Sequence, residues 1–270
     1  MKILITGSNG FLGKEVVPLI KKKNNLYFVT RRKSRKKNNL CCNLKNLKKI
    51  EYITHLLKPD VIINLAADVN FIKETKKIYI VNSFLLKVFA KYCKNNNKHL
   101  IHASSISVNG INSLYNYKTK LNPINIYGKT KLIAEKYIQK SKCNYSIIRF
   151  AGIYGKDGPS HLGINNFIKK AINKKRLIFS GNPKSERNYI FVKDAAKSIV
   201  NCMNKKKFGI FYLGGETQNF ETMLKKINLI LGSKKKILFK KSEELKSDQI
   251  VEKNNFFKIT SFSNSLKKIK

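Results

Sequence analysis

Acidic residues are scarce in this chain, and so are cysteines and long apolar runs. The 270 residues hold 15 Asp and Glu against 56 Lys and Arg, which gives a formal net charge of +41. Five cysteines, odd in number and without metal-ligand spacing, exclude a complete disulfide framework and a cysteine metal site, and they predict reduced thiols. The longest apolar run, near Val61, is broken by Asn64 and Asp68 before it could span a membrane. With no signal-peptide pattern, the sequence predicts a cytoplasmic protein without membrane insertion.

The positive charge has two explanations that the sequence leaves open. Only six of the 56 cations are Arg, and an excess of Lys, Asn and Ile is typical of an AT-rich coding sequence. On this account the lysines form a solvated surface without a partner, although base composition does not explain the shortage of acids. Alternatively, the positive field attracts phosphate-bearing ligands or binds nucleic acid non-specifically. The hydrophobic fraction of 42% excludes a disordered polycation.

Short apolar runs alternate with amphipathic stretches over the first two thirds of the chain. Predicted strands are residues 2–6, 26–30, 61–65, 99–104, 145–150 and 208–213, and predicted helices are residues 11–22, 72–94 and 127–139. Because each strand is apolar throughout, we expect an α/β fold, a Rossmann-type doubly wound parallel sheet. The predicted Rossmann domain is 1–155, completed near 189–213. A small C-terminal lobe takes 156–188 and 214–270, with a lysine-rich helical stretch over 221–270.

Three glycines stand between the first strand and the first helix, in the segment Thr6-Gly7-Ser8-Asn9-Gly10-Phe11-Leu12-Gly13. Glycines at this junction allow a tight turn, close approach of the backbone to a pyrophosphate, and packing of helix on strand. The helix N-terminus then offers N–H groups and a positive dipole to the phosphates. The spacing is G-x-x-G-x-x-G rather than G-x-G-x-x-G, but its position in an α/β pattern predicts a dinucleotide site.

The second strand ends in Val29-Thr30-Arg31-Arg32, with no acid nearby. NAD sites place a carboxylate there for the ribose 2′-hydroxyl, whereas NADP sites use Arg for the 2′-phosphate. The sequence therefore favours NADP(H) over NAD(H), with Arg31 and Arg32 as phosphate ligands. The alternative is that both belong only to a basic loop.

Tyr127 and Lys131 lie at i and i+4, on one face of a predicted helix, and Ser105 follows an apolar strand. A phenol titrates near 10, so a Tyr that exchanges protons at neutral pH needs its pKa lowered by about 3 units. A neighbouring ammonium stabilises the phenolate, and a hydroxyl stabilises a carbonyl oxygen that gains charge. This trio is suited to proton transfer coupled to hydride transfer, although Y-x-x-x-K also occurs by chance on exposed helices.

Seven segments, in order along the chain, resemble the extended short-chain dehydrogenases/reductases, the NAD-dependent epimerase/dehydratase family that acts on nucleotide sugars. The motifs are T-G-x-x-G-x-x-G at 6–13, D-x-V-I-H-L-A-A at 60–67, V-N at 81–82, S-S-x-x-V-Y-G at 104–110, P-x-x-x-Y-G-x-S-K at 122–131, R-x-x-N-V-Y-G at 149–155 and R-D-Y-I-H-V-x-D at 186–194. Among the departures from the family pattern, Asn64 replaces His, Asn109 replaces Tyr, and Gly152 replaces Asn.

The resemblance implies a nucleotide-sugar substrate, a homodimer and a set of site residues. The catalytic residues are Ser105, Tyr127 and Lys131. The cofactor residues are Gly7, Ser8, Asn9, Gly10, Phe11, Leu12, Gly13, Arg31, Arg32, Asn43, Leu44, Leu65, Ala66, Ala67, Asn82, Tyr127 and Lys131. The substrate residues are Ser105, Asn70 and Arg187, with Arg187 on the diphosphate or, alternatively, in a surface salt bridge with Glu186. The dimer pairs helices 72–94 and 127–139 across a two-fold axis. Asp194 is expected to cap a helix that starts at Ala195.

The type of reaction is narrowed by the residues after Ser105. Family dehydratases carry acids there, whereas this chain has Ile106 and Ser107, which disfavours dehydration. The favoured activity is NAD(P)H-dependent reduction of a 4-keto nucleotide sugar, with Tyr127 as proton donor. The alternatives are an NAD-dependent 4-epimerase and a non-catalytic RNA-binding or scaffold protein. The sequence does not identify the nucleotide or the sugar.

Overall fold

A computed structural model describes residues 1–31, 38–69, 74–232, 235–240, 248–253 and 255–270. The helices are α1 Phe11–Ile20, α2 Leu47–Leu57, α3 Lys76–Tyr79, α4 Leu85–Asn95, α5 Ile126–Ser141, α6 Gly163–Ile172, α7 Val192–Asn204, α8 Phe220–Leu231 and α9 Phe262–Lys267. The strands are β1 Lys2–Thr6, β2 Asn25–Thr30, β3 Asn39–Cys41, β4 Val61–Asn64, β5 His99–Ser105, β6 Leu114–Tyr115, β7 Asn144–Phe150, β8 Ile153–Tyr154, β9 Ile178–Ser180, β10 Glu186–Arg187, β11 Ile190–Phe191, β12 Gly209–Leu213, β13 Gln218–Asn219, β14 Leu238–Lys240 and β15 Ile250–Val251.

Seven strands form one sheet in the order β12-β7-β5-β4-β1-β2-β3. β1 pairs in parallel with both β2 and β4, so that Thr6 lies beside Val29 on one side and Asn64 on the other. The strand order reverses at β1, and in such sheets ligands bind beyond the carboxyl ends of the strands at the reversal. The predicted Rossmann-like α/β fold is confirmed.

The core of this sheet explains why its strands are apolar throughout. Leu4, Ile62, Leu100 and Ile147 come from four different strands, and each is fully buried. They belong to one cluster with residues of the helices that cover this face, which are Leu85, Leu86, Phe89 and Ala90 of α4 and Ala134 and Ile138 of α5. α4 and α5 are therefore held against the sheet by apolar contacts, and this fixes the side chains on the helix faces that pack against the sheet.

Several predicted elements differ in their bounds. The helix predicted from residue 11 to 22 is α-helical as far as Ile20, with Pro18 inside it, and continues as a 3-10 segment over Lys21–Lys23. The helix predicted from residue 72 begins at Lys76, because Thr75 caps it by accepting a hydrogen bond from Ile78 N. Residues 70–73 lie outside the described ranges. A π-helical segment, Ile80–Phe84, joins α3 to α4.

The chain forms two compact units. One contains residues 1–111, 120–149 and 196–211, and the other contains residues 112–119, 150–195 and 212–270. The division into a Rossmann domain and a small C-terminal lobe, with the bounds given from the sequence, stays a prediction. None of the helices in the described ranges is long and apolar enough to cross a lipid bilayer.

The expectation of a helical stretch over 221–270 is wrong for much of its length. Gly232 takes a left-handed conformation, φ 84°, that ends α8. Beyond it lie β14, which pairs with β9, and β15, which pairs with β6. The expected cap at Asp194 is also wrong, because α7 already begins at Val192. The Asp194 carboxylate instead accepts hydrogen bonds from the backbone and hydroxyl of Thr260, at 2.7 and 2.9 Å.

Candidate functional site

The glycine turn after β1 packs against two backbones at once. Gly7 has φ +74°, and a Cβ there would lie 2.6 Å from Ala66 N, in the loop that follows β4. A Cβ on Gly13 would lie 2.2 Å from Gly7 O, so α1 also approaches the turn too closely for any side chain. The turn is closed by a 3.0 Å hydrogen bond from Gly10 N to Gly7 O. The result is a bare backbone cradle of the kind that a pyrophosphate needs.

The start of α1 completes this cradle. Gly10 is the N-cap, and no acidic residue lies in the first turn to repel an anion. The first N–H groups of a helix have no intrahelical acceptor, and they carry the positive end of the dipole. Ser8 is buried, Asn9 and Gly10 are exposed, and Phe11 and Leu12 are half-buried. The segment predicted to hold phosphates is therefore open to solvent at Asn9 and Gly10.

The ends of β2 and β3 lie side by side, as the register of Thr30 with Cys41 shows. Thr30 Oγ1 donates a 2.7 Å hydrogen bond to Asn39 Oδ1, and the exposed Arg31 follows directly. Arg32 lies outside the described residues. Asn43 is exposed, with its Oδ1 accepting from Lys45 N at 3.1 Å, and Leu44 packs against the core. The structure thus brings the predicted adenosine-side residues Arg31, Asn43 and Leu44 to adjacent strand ends.

Leu65, Ala66 and Ala67 form the loop after β4, and Leu65 N donates to Thr6 O at 3.1 Å. Asn82, in the π-helical segment, is fully buried and holds the continuation of this loop. Its Oδ1 accepts from Asp68 N at 2.7 Å, and its Nδ2 donates to Asp68 O at 2.9 Å and to Thr130 Oγ1 at 3.0 Å. The amide of Asn82 therefore ties the loop to α5. Asn70 lies outside the described residues.

Ser105 ends β5 and caps the short 3-10 turn Ile106–Asn109 that follows. Its Oγ accepts from Ser107 N at 3.1 Å and donates to Ser107 Oγ at 3.0 Å. The side chain is half-buried. The hydrogen bonds to Ser107 therefore fix the orientation of the Ser105 hydroxyl at the carboxyl end of a central strand.

Tyr127 and Lys131 lie in the first two turns of α5, which Asn125 caps by accepting from Gly128 N at 2.8 Å. Lys131 Nζ lies 5.7 Å from the centre of the Tyr127 ring and donates a 2.7 Å hydrogen bond to Ala103 O on β5. The two side chains therefore lie together, and Lys131 reaches the same strand that carries Ser105. At 2% exposure, Lys131 is a buried amine.

Burial governs the ionisation of this pair. It lowers the pKa of Lys131 to about 8, although the Glu135 carboxylate acts in the opposite direction. It also raises the pKa of Tyr127 to about 12. The lowered Tyr127 pKa expected from the sequence depends on the ammonium together with an oxidised nicotinamide ring, whereas in the protein alone the loss of hydration disfavours phenolate. At neutral pH the pair is accordingly a neutral phenol beside an ammonium.

Two buried polar clusters were missed by the sequence analysis. Ser104, Glu135 and Arg149 form a network in which the Glu135 side chain is fully buried. Thr6, Asn64 and His102 form a row across β1, β4 and β5, with Thr6 Oγ1 donating to Asn64 Oδ1 at 2.6 Å and Asn64 Nδ2 lying 3.1 Å from His102 Nδ1. A signal existed for Glu135, which is an acid one turn after Lys131 in a chain with few acids.

Arg187 belongs to the other unit, where it is 8% exposed on β10. Its Nη1 donates to the backbone oxygen of Glu186 at 2.7 Å, and its guanidinium lies 5.3 Å from the centre of the Phe220 ring. Burial lowers the pKa of Arg187. The alternative of a surface salt bridge does not describe this buried side chain. Its contact with substrate stays a prediction.

Comparison with known proteins agrees with this geometry. The family described as the RmlD substrate binding domain matches residues 1–221. The dTDP-D-glucose 4,6-dehydratase of Dictyostelium discoideum is 31% identical over 273 residues, which cover 84% of this chain and 62% of that protein. The chain thus spans less than two thirds of that relative's length.

Two solved structures resemble the whole chain. The UDP-N-acetylglucosamine 4-epimerase from Bacillus cereus has a TM-score of 0.83 at 26% identity, covering 100% of this chain and 98% of that one. A dTDP-4-dehydrorhamnose reductase from Bacillus anthracis, in complex with NADP, has a TM-score of 0.82 at 20% identity, covering 99% and 96%, and shows the same fold. Because the family match runs through the glycine turn, the loop after β4 and the helix of Tyr127 and Lys131, the chain belongs to the RmlD substrate binding domain family, within the extended short-chain dehydrogenases/reductases.

Proposed function

We propose that this protein reduces a 4-keto nucleotide sugar with NADP(H), using Tyr127 as the proton donor. Members of its family are NAD(P)-dependent enzymes that act on nucleotide sugars. The observation that carries the proposal is the pairing of the half-buried Tyr127 with the buried Lys131, whose Nζ is bonded to Ala103 O, two residues before Ser105 on β5. A neutral phenol beside an ammonium is the pairing that reduction requires, because the phenol must hold a proton to give away.

The cofactor site would be formed by the glycine turn, the loop of Leu65 to Ala67 and the end of β2. The bare cradle at Gly7 and Gly13 fits a pyrophosphate, because a Cβ at either position would collide with backbone. Arg31 is exposed at the end of β2, where a guanidinium would bind a 2′-phosphate and no acid would repel it. A bound nicotinamide dinucleotide would supply the hydride.

The proton would come from Tyr127 Oη to the oxygen of the substrate carbonyl as that oxygen gains negative charge. Ser105 Oγ would donate a hydrogen bond to the same oxygen. Lys131 would stabilise the phenolate left behind, which it does only while it is an ammonium, so its pKa of about 8 sets the upper limit of this role.

Two features of the chain favour reduction over the dehydration and 4-epimerisation that other members of the family catalyse. Ile106 and Ser107 follow Ser105 and have no carboxyl proton for the expulsion of water, which weighs against dehydration. Arg31, without a nearby acid, weighs against the NAD that a 4-epimerase would retain. These features support a reductase that consumes NADPH.

The test is a set of turnover and binding measurements. We expect NADPH, but not NADH, to raise the melting temperature, since ligands that bind only the native state stabilise it. A panel of UDP-, dTDP-, CDP- and GDP-linked 4-keto sugars, including dTDP-4-dehydrorhamnose, should give NADPH oxidation with one nucleotide class. Conversion of a UDP-sugar to its 4-epimer without net NADPH consumption would show the epimerase instead. Tight RNA binding at physiological salt without affinity for either dinucleotide would contradict the proposal that the protein is an enzyme.

Arg31→Ala tests the cofactor assignment directly. Loss of one guanidinium on a 2′-phosphate should weaken NADPH binding by about ten-fold or more and leave NADH binding unchanged. Arg176→Ala is the matched control, because it removes another exposed arginine from the other unit. Equal losses for NADPH and NADH would show that Arg31 does not contact the 2′-phosphate.

We also propose that two copies pair through α4 and α5. The sequence based this dimer on the apolar stripe Ile78, Val81, Leu85, Val88 and Tyr92. Ile78, Leu85 and Tyr92 are buried in the chain's own core, whereas Val81 and Val88 are half-buried. The half-buried Phe84 and Tyr137, whose ring centres lie 6.2 Å apart, are the aromatic pair on these helices that a second copy would cover. Light scattering should give a dimer at micromolar concentration, and Phe84→Glu should give a monomer. A monomeric wild-type protein would reject this pairing.

A further inference from the structure

A fully buried carboxylate lies one helical turn beyond Lys131 on α5. Glu135 is 0% exposed, and the two side chains that bind its carboxylate, those of Ser104 and Arg149, are themselves buried. Arg149 of β7 binds it through two nitrogens, with Nε 3.1 Å from Oε1 and Nη2 2.6 Å from Oε2. Ser104 Oγ donates to Oε1 at 2.5 Å. The carboxylate is thus held from three sides by α5, β5 and β7.

Two buried charged side chains of α5 contact successive residues of β5. Lys131 Nζ donates to the carbonyl of Ala103, and Glu135 accepts from the hydroxyl of Ser104. Ser105 is the next residue along the strand. Any sliding or rotation of β5 against α5 would break both bonds together, so these contacts fix the strand that presents Ser105 relative to the helix that presents Tyr127.

Glu135 also acts on Lys131 through its charge. Lys131 and Glu135 are i and i+4 on one helix face, both out of contact with solvent, where charges are poorly screened. The carboxylate raises the pKa of Lys131 against the lowering caused by burial. Other charged or titratable groups facing the pair are His102 of β5, Tyr127 of α5, and Arg149 and Tyr145 of β7. Of the acids among the described residues, Glu135 is the one that acts on Lys131.

We propose, resting on the function proposed for Lys131 and Tyr127, that Glu135 is a positioning residue of the active site. It keeps the buried Lys131 amine in its charged form and, through Ser104, holds β5 in register with α5. Glu135 touches neither substrate nor cofactor in this role. A purely structural role would be that of an ion pair with Arg149 that joins α5 to β7.

Glu135→Gln separates the two roles, because the amide keeps the size and the acceptor oxygen for Ser104 but loses the charge. The Lys131 amine is followed by NMR of lysine-labelled protein through its Cε–Nζ correlation, which Lys131→Met assigns. We expect the wild-type amine to titrate near 8 and the Glu135→Gln amine to titrate at least about half a pH unit lower. Glu51→Gln, which removes a carboxylate from the exposed ion pair with Lys91, should leave the Lys131 titration where it is.

A double variant keeps the test possible if Glu135→Gln fails to fold. Removing one partner of a buried ion pair is strongly destabilising, whereas removing both is often tolerated. If Glu135→Gln does not fold, the double variant Glu135→Gln with Arg149→Gln should fold and still show the lowered Lys131 titration. Glu135→Asp keeps the charge and should restore the wild-type titration in part.

The pH dependence of turnover provides a second measurement of the Lys131 titration. On the nucleotide sugar that wild type reduces, the alkaline limb of kcat should move down by the same amount in Glu135→Gln, with KM for NADPH within about two-fold. An unchanged Lys131 titration, with only a lowered melting temperature, would overturn the proposal. If wild type reduces no nucleotide sugar while the Lys131 titration moves as expected, the proposed function fails and the coupling of Glu135 to Lys131 stands.

Discussion

Gly128 lies directly against the backbone of Ser107. A Cβ on Gly128 would stand 2.3 Å from Ser107 O and 3.0 Å from the Pro123 side chain. The first turn of α5 therefore touches the 3-10 turn that Ser105 caps, at a distance that only glycine allows. This contact brings the helix of Tyr127 and the turn of Ser105 together, and it explains why a glycine follows the tyrosine here.

Gly128→Ala should separate these two turns. Because both neighbours of the new methyl group are backbone or ring atoms, α5 must move, and overpacking of this kind costs about 1–3 kcal/mol. A shift approaching 1 Å at the reacting groups costs on the order of 100-fold in rate. Gly163→Ala is the control, since its Cβ would come no closer than 3.9 Å to Phe167. Stability from urea unfolding and turnover by NADPH oxidation check both effects, and an active, stable Gly128→Ala protein would contradict them.

The buried charge of Lys131 lowers the free energy of unfolding at neutral pH, and replacing Lys131 should therefore raise it. Its pKa of about 8 lies below the ordinary 10.5, so between these values the unfolded chain holds a proton that the native protein lacks. Stability therefore rises with pH across that window, and the cost of the buried charge is fully present below pH 8. That cost is about 3 kcal/mol, offset by about 1.5 kcal/mol for the hydrogen bond to Ala103.

Lys131→Met should accordingly be inactive yet more stable than wild type at pH 7, by about 1–2 kcal/mol. The advantage should shrink as pH rises from 8 to 10, because the wild type gains stability there. Urea unfolding at pH 7 and pH 9.5 measures this difference. Lys129→Met removes an exposed lysine from the same helix and should show no such dependence. A constant difference between Lys131→Met and wild type would mean that the native Lys131 amine keeps its proton up to pH 9.5, so that burial does not lower its pKa.

His99 makes the protein sensitive to acid. It is 7% exposed, and its Nε2 lies 2.7 Å from Ser146 Oγ, whose own proton goes to Lys207 O. Nε2 must therefore be the donor, and Nδ1 has no hydrogen-bond partner among the described residues. Burial, with the nearby Lys206, lowers the pKa of His99 to about 4. The unfolded chain takes up this proton near 6.5, so stability is complete above that pH and is lost as pH falls towards 4.

Protonation of His99 alone should lower the free energy of unfolding by about 3 kcal/mol between pH 6.5 and 4. His99→Gln should flatten the decline of stability between pH 6.5 and 4, even if it lowers stability at pH 7. His55→Gln removes an exposed imidazole and serves as the control. Equal slopes for wild type and His99→Gln in chemical unfolding across this range would rule out the assignment.

Much of the fold and part of the site could be predicted from local sequence patterns. Strand β1 and the glycine turn follow from residues that are neighbours in the chain, and the pairing of Tyr127 with Lys131 follows from helical spacing. The ion pair of Glu135 with Arg149 could not be predicted in this way, because it joins a helix to a strand that come together only when the chain packs. The raised pKa of Tyr127 in the protein alone could not be predicted either, since burial depends on every element around the ring and not on its nearest charge.

Tyr127→Phe isolates the proton donor from the rest of the site. The substitution removes one hydroxyl and keeps the ring beside Lys131, so α5 and its cap at Asn125 should be unchanged. Without Oη no proton reaches the substrate oxygen, and turnover should fall by at least about 100-fold, the usual contribution of a positioned acid. Dinucleotide affinity, measured by fluorescence titration, should stay within a few fold, because the glycine cradle is untouched. Tyr137→Phe, on the same helix but packed against Phe84, should retain full turnover. If Tyr127→Phe kept wild-type turnover, the proton would have to come from another group, and Ser105 would be the next side chain to replace.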